Sequence, residues 1–248
     1  MKNFLIKIWN EFEDALFVNF KCMFCGRETP NESLVCDKCA SEVTFINGFV
    51  CDHCGAQAFG REVMCPACRG KNYKFDSHRS CIIYGDLSSR AVKALKYSGK
   101  LYLAEPIARF MYAVNKELFE NADAITFVPM TKSKLASRGY NHMEEVAKVL
   151  SKISKIPVLE CFNKIKETED QASLNYDKRT KNLKGSFVVI DDNKDMIRGK
   201  KILLVDDVFT TGSTANECSK LLLKAKAKSV NVATFLKTDP FAEDDFEI

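Results

Sequence analysis

No stretch of the sequence approaches 18 uninterrupted apolar residues, so no membrane-spanning helix is expected. The first twenty residues, MKNFLIKIWNEFEDALFVNF, are interrupted by Lys7, Glu11, Glu13 and Asp14. They lack the continuous apolar core of a signal peptide. Net charge is scarce too: 37 Lys and Arg against 33 Asp and Glu leave +4, which by itself points to no polyanionic partner. GxxxxGK[ST] is absent, which excludes a Walker A loop. The absence of GxGxxG excludes the dinucleotide fingerprint, and that of HExxH excludes the helix-borne zinc site. Apolar residues are plentiful at 46%, beside 28% charged residues, over 248 positions. That composition excludes wholesale disorder and allows one or two domains with a real core.

The small net charge hides an uneven spread. Residues 1–75 carry nine basic and nine acidic side chains, residues 76–238 carry 28 and 19, and residues 239–248 carry no base and five acids. A neutral start, a middle of net +9 and an end of net −5 follow. The basic middle suits phosphates. The acidic tail reads either as a solvated end or as a weak competitor for the basic surface. At the other end, Leu5, Ile8, Trp9, Phe12 and Leu16 recur at helical spacing, so residues 1–20 are expected to form an amphipathic helix docked on its own chain, with a partner or a membrane surface as the alternative.

Eleven cysteines without an export signal argue against a disulfide scaffold and for a reduced, cytoplasmic setting. Eight of them form four CxxC pairs: Cys22/Cys25, Cys36/Cys39, Cys51/Cys54 and Cys65/Cys68. The pairs are separated by 10, 11 and 10 residues. A CxxC turn aims two thiolates at one ion, and two such turns complete a tetrahedron, so eight thiolates suit two closed, structural Zn²⁺ sites. The even gaps favour sequential pairing, and pairing of the first with the third and the second with the fourth stays open. An iron–sulfur cluster is the alternative metal reading. Gly26 and Gly55 follow the second cysteine of a pair, where a knuckle needs a permissive backbone. His53 reads as a bystander to the ligands, and Cys81, Cys161 and Cys218 as buried thiols.

After Cys68 short apolar runs alternate with helix-period segments, the pattern of an α/β domain with a mostly parallel sheet flanked by helices. Strands are predicted at 81–85, 124–129, 156–160, 186–190, 201–206 and 230–236. Helices are predicted near 88–97, 102–120, 140–154 and 213–227. The polar stretch 164–185 lacks periodicity, and a loop that long usually serves function. The most informative segment is ILLVDDVFTTGST, residues 202–214. A buried strand ends in Asp206 and Asp207, a turn of small hydroxyl residues surrounds Gly212, and a helix follows. Backbone N–H groups of Thr210, Thr211, Gly212, Ser213 and Thr214 can converge on a phosphate at that helix N-terminus. Carboxylates at a strand's carboxyl end can accept hydrogen bonds from sugar hydroxyls.

An apolar run, two acids and TTGST resemble the 5-phosphoribosyl-1-pyrophosphate (PRPP) motif of type I phosphoribosyltransferases. In that family the loop grips the ribose 5-phosphate and the acids hold the ribose hydroxyls. Four CxxC pairs ahead of such a motif resemble the ComF family of bacterial competence proteins. ALKYSGK (94–100) is similar to the family's Leu-Lys-Tyr-x-Gly segment, and RGYNH (138–142) to its Arg-Gly-Phe-Asn-Gln segment. Thr168, Gln171, Leu174, Arg179, Asn182, Gly185 and Phe187 match a further spaced pattern. VPMTK (128–132) departs from the family's Val-Pro-Val-Pro-Leu, where pyrophosphate is usually contacted, and His142 stands in place of Gln.

The resemblance implies an N-terminal helix (1–20), a double zinc ribbon (21–75), a phosphoribosyltransferase-like domain (76–238) and an acidic tail (239–248). It implies PRPP or a related ribose phosphate as ligand, with Mg²⁺ on the pyrophosphate, and Lys96, Arg138 and Arg179 as candidate phosphate contacts. It also implies service to single-stranded DNA uptake in natural transformation, with a helicase partner. An active phosphoribosyltransferase using a nitrogen acceptor and an inactive scaffold docking a helicase are the alternatives. Lys220, Lys224 and Lys228 are expected as one stripe on the last helix, and Lys178, Arg179, Lys181 and Lys184 as a second cluster. Either could track a nucleic-acid backbone or simply face solvent.

Overall fold

Lys201–Phe209 forms one of the two central strands of the sheet in a computed structural model that describes residues 21–29, 33–57, 64–167 and 183–239. The expected N-terminal helix and all of the acidic tail but its first residue lie outside these residues, as does Arg179. The strands, in chain order, are β1 (Ser77–Ile83), β2 (Ala124–Phe127), β3 (Phe162–Lys164), β4 (Phe187–Val189), β5 (Lys201–Phe209) and β6 (Ser229–Lys237). Four of them make one sheet in the order β1-β6-β5-β2, every neighbouring pair parallel. The near-continuous apolar runs Ile202–Val205 and Val232–Leu236 suit such strands, because both faces of a parallel sheet are covered.

The α-helices among the described residues are α1 (Asp37–Glu42), α2 (Asp86–Tyr97), α3 (Ala104–Val114), α4 (Lys116–Glu120), α5 (Lys132–Arg138), α6 (His142–Ser154), α7 (Lys194–Ile197) and α8 (Ser213–Lys224). The predicted helix 102–120 is two helices. Asn115 breaks it, and its side-chain amide donates to the Met111 carbonyl and to Cys81 Sγ. Helix α5 was not expected. It is a short helix with no buried residue, so it carries no apolar stripe to read, although Thr131 caps its start and Gly139 (φ +84°) its end. The predicted strand 156–160 is a single parallel bridge, Ile125 to Val158. Pro157 has no N–H to extend that ladder. The predicted strand 186–190 pairs antiparallel with β3 in a separate two-stranded ribbon. Helix α8 stops at Lys224, so Lys228 lies beyond it and the expected three-lysine stripe is not one helix face.

The cysteine-rich segment is built onto the sheet. The N–H of Ile46 donates to the Cys81 carbonyl at 3.0 Å and that of Ile83 to the Thr44 carbonyl at 2.9 Å. Residues 44–46 thereby cover the open edge of β1, where unpaired backbone groups would otherwise invite another chain. The two halves of the segment go to opposite sides. Met23, Phe24 and Val43 join the core formed with α2, α3 and α6, which includes Leu95, Met111 and Leu150. Ala56, Tyr73 and Phe75 join the other core, with Leu183, Phe187, Phe209 and Leu222. Truncating a fully buried Met111 or Leu150 to Ala should cost about 3 kcal/mol.

Candidate ribose-phosphate site and metal centres

The eight paired cysteines gather as two sets. The Sγ atoms of Cys22, Cys25, Cys36 and Cys39 lie within 4.8 Å of one another, and so do those of Cys51, Cys54, Cys65 and Cys68. Pairing is therefore sequential, and the crossed alternative is excluded. Cys25 and Cys36 sulfurs are 3.8 Å apart and Cys54 and Cys65 sulfurs 3.6 Å apart. A tetrahedron with Zn–S bonds of ~2.3 Å has S···S edges of ~3.8 Å, so each donor set fits one Zn²⁺ and is too tight for a polyatomic iron–sulfur cluster. Four thiolates fill the coordination sphere, which makes both zinc sites structural. Gly26 and Gly55 hold φ at +72° and +64°, and their N–H groups donate to the carbonyls of Cys22 and Cys51 at 2.8 Å. His53 belongs to neither set.

The TTGST turn forms where β5 gives way to α8. Strand β5 runs three residues further than predicted, through both acids to Phe209, because β6 continues beside it as far as Lys237. Gly212 then takes φ +76° and caps α8. A Cβ there would fall 2.6 Å from Phe209 Cζ and 3.0 Å from Tyr73 Cε1, so only glycine fits without displacement. Thr211 Oγ1 and Ser213 Oγ are 2.8 Å apart, and the Ser213 N–H donates to Thr211 Oγ1 at 3.3 Å. A small open cavity at this turn is lined by Asp206, Thr210, Gly212, Ser213, Thr214 and Thr234, among others. The first-turn amides and the helix dipole favour an anion there.

Adjacent strand residues face opposite sides, and the two acids divide accordingly. Asp206 lines the cavity with Thr234. Asp207 turns the other way and is buried, its Oδ2 bound by both Lys96 Nζ and His142 Nε2. Burial alone would raise the Asp207 pKa, but the Lys96 charge and the His142 hydrogen bond outweigh it and hold the carboxyl far below its ordinary value. Burial, followed by the Asp207 charge, pushes Asp206 up to about 7. The pair therefore holds one firm carboxylate and one that titrates near neutrality.

Burial lowers the His142 pKa despite the pull of Asp207, so its ring is neutral near pH 7. Its two neighbours select the tautomer. Nε2–H donates to Asp207 at 2.8 Å, and Nδ1 accepts from Arg138 Nη1 at 3.3 Å. Arg138 also lies 5.1 Å from the centre of the exposed Tyr97 ring. Lys96, Arg138, His142 and Asp207 thus form one connected group. Lys96 is engaged by Asp207. His142 appeared in the sequence only as a departure from a family motif, and its role needed the fold to bring β5 and α6 together.

Residues 104–243 match the phosphoribosyl transferase domain and residues 12–69 the double zinc ribbon domain. Competence protein F of Haemophilus influenzae is 28% identical over 223 residues, covering 87% of this chain and 96% of that protein. Competence protein ComFC of Bacillus subtilis is 26% identical over 84% of this chain and 86% of its own length. The DNA utilization protein YhgH of Escherichia coli is 26% identical over 82% of this chain and 90% of its own. The two domain matches span both cysteine sets and the loop after β5. The chain belongs to the phosphoribosyl transferase domain family, carried behind a double zinc ribbon as the ComF resemblance of its motifs implied.

Proposed function

We propose that this protein binds PRPP or a related ribose phosphate with Mg²⁺ and serves the handling of single-stranded DNA. The observation that carries the reading is the TTGST turn at the head of α8, with Asp206 on the same cavity wall. A ribose 5-phosphate is held by the loop and the helix N-terminus. The ionised Asp206 accepts hydrogen bonds from a ribose hydroxyl. Lys96 and His142 hold Asp207, and through it the end of β5, in place. A Mg²⁺ carried with the pyrophosphate would neutralise part of its charge, and Asp206 is the residue whose hard oxygens would suit that ion. The DNA role is supported by the relatives' names, competence and DNA utilization, and by the excess of basic residues over 76–238. A helicase partner fits the same role.

Calorimetric titration of the zinc-loaded chain with PRPP and Mg²⁺, alone and with a single-stranded oligonucleotide, tests the reading. Saturable PRPP binding whose affinity shifts with DNA supports it, since linkage makes the shift reciprocal. DNA binding should weaken steeply with salt. No PRPP binding under either condition overturns the ligand assignment, and salt-independent or absent DNA binding overturns the DNA role.

A further inference from the structure

The phosphate loop is held from below by residues outside the ribose-phosphate motif. Tyr73 Oη donates to the Thr211 carbonyl at 2.9 Å. The N–H of Lys74 donates to Asn216 Oδ1, in the first turn of α8, at 2.8 Å. The rings of Tyr73 and Phe209 are the atoms that a Cβ on Gly212 would strike, so the turn rests directly on them. Phe209 is itself packed edge-on against Tyr73 and Phe75, with centroids 6.4 Å and 6.1 Å away, and stacked on His78 at 3.8 Å.

Phe209 ends β5, and the supports it packs against belong to the segment that leaves the second cysteine set. Tyr73, Lys74 and Phe75 lie between the last ligand, Cys68, and β1. The N–H of Lys71 donates to the Cys68 carbonyl at 3.0 Å. His78 Nδ1 is 2.8 Å from the Cys54 carbonyl oxygen, and the His78 N–H donates to the Asp52 carbonyl at 3.2 Å. Arg79 pairs with the Asp52 carboxylate at 3.0 Å. Gly55 lies so close that a Cβ there would meet the His78 carbonyl oxygen at 2.9 Å. An unbroken path runs from Cys54 through His78 and Phe209 to Gly212, and a second from Cys68 through Tyr73 to Thr211. Among the described residues, the first cysteine set packs in the core on the other side of the sheet.

We propose that the second zinc ribbon anchors the phosphate loop, with Tyr73 and Phe209 as positioning residues that hold the backbone of residues 210–214 ready for its anion. Bound zinc fixes a segment that has little core of its own. It therefore fixes the floor beneath the loop. This inference rests on the ribose-phosphate reading for its ligand consequence, and the ordering of the loop can be read without any ligand.

The test uses the full zinc-loaded chain and three variants: Tyr73→Phe, the second-ribbon pair Cys65→Ser/Cys68→Ser, and the first-ribbon pair Cys36→Ser/Cys39→Ser. Amide hydrogen exchange is followed in peptides covering 209–216 and in peptides of β6, and PRPP–Mg²⁺ affinity is measured by calorimetry. Tyr73→Phe removes one hydroxyl. It should speed exchange in 209–216 and weaken PRPP by about fivefold, the size of one net hydrogen bond of ~1 kcal/mol. Zinc content and exchange in β6 should not change. The second-ribbon pair should loosen the loop further, and the first-ribbon pair should leave it protected. Unchanged loop exchange in Tyr73→Phe overturns the proposal, as does equal loosening by both ribbon pairs. If the second-ribbon pair fails to fold, Tyr73→Phe alone still decides. If the unmodified chain does not bind PRPP, the ligand reading falls while loop exchange still decides the anchor.

Discussion

His142 Nε2 lies 2.8 Å from Asp207 Oδ2, the same oxygen that Lys96 holds. One buried carboxylate therefore joins α2, α6 and β5. Lys96 compensates its charge, and the neutral His142 ring adds a hydrogen bond. Lys96→Met leaves Asp207 charged and nearly buried, which should cost about 3 kcal/mol or more in denaturant unfolding. Adding Asp207→Asn to Lys96→Met should recover most of that loss, because the stranded charge is gone. A double variant as unstable as the single one would show that Lys96 matters for packing and not for charge.

Asp206 makes binding depend on pH. Its carboxyl is pushed up to about 7, chiefly by burial and then by Asp207. The ionised form is the stronger acceptor for a ribose hydroxyl and the only one whose charge attracts the cation. PRPP–Mg²⁺ affinity should therefore rise roughly tenfold between about pH 6 and about pH 8. Asp206→Asn should bind more weakly and lose that rise, which separates the residue from the ligand's own titration. Stability moves the opposite way. A raised folded pKa favours the neutral form, so the contribution is full below the unfolded value of about 4 and lost as pH climbs through about 7. The melting temperature of Asp206→Asn should exceed that of the unmodified chain by a margin that grows over that window and then levels. A constant margin would contradict the assignment.

Much of this arrangement is legible in the sequence, for identifiable reasons. CxxC spacing is local chemistry, so both cysteine sets could be read from it, and only the choice of partner pairs awaited the structure. The strand, turn and helix of residues 201–224 are also local, and Gly212 marks the one backbone position that needs a left-handed conformation. The ion pair of Lys96 with Asp207 was not legible, because the two residues lie far apart in the chain and meet only through the fold. Strand alternation was a signal that could have separated Asp206 from Asp207. Tyr73 gave no signal at all, since its contact with Thr211 depends on how the ribbon packs on the sheet.

Gly212→Ala probes the turn itself. The substitution meets a φ of +76° and two aromatic rings inside contact distance. It should lower stability by about 2 kcal/mol and weaken PRPP at least about tenfold. Secondary structure and zinc content should not change. Binding as tight as in the unmodified chain would place the phosphate elsewhere than on this loop.

Zinc stoichiometry separates the two ways of pairing the cysteines. The chain should carry two zinc ions, one in each set of four sulfurs. Cys22→Ser/Cys36→Ser removes two ligands from the first set, so one tightly held zinc should remain. Cys22→Ser/Cys51→Ser removes one ligand from each set and should compromise both ions. Crossed pairing reverses the two outcomes, because Cys22 and Cys51 would then share an ion while Cys22 and Cys36 would not. Metal analysis after mild chelation reads the difference directly. A single retained zinc in Cys22→Ser/Cys51→Ser would refute the sulfur geometry described above. The first-set variant should also lose stability by several kcal/mol, since ligand loss exposes the pocket that Met23, Phe24 and Val43 fill beside α2 and α3.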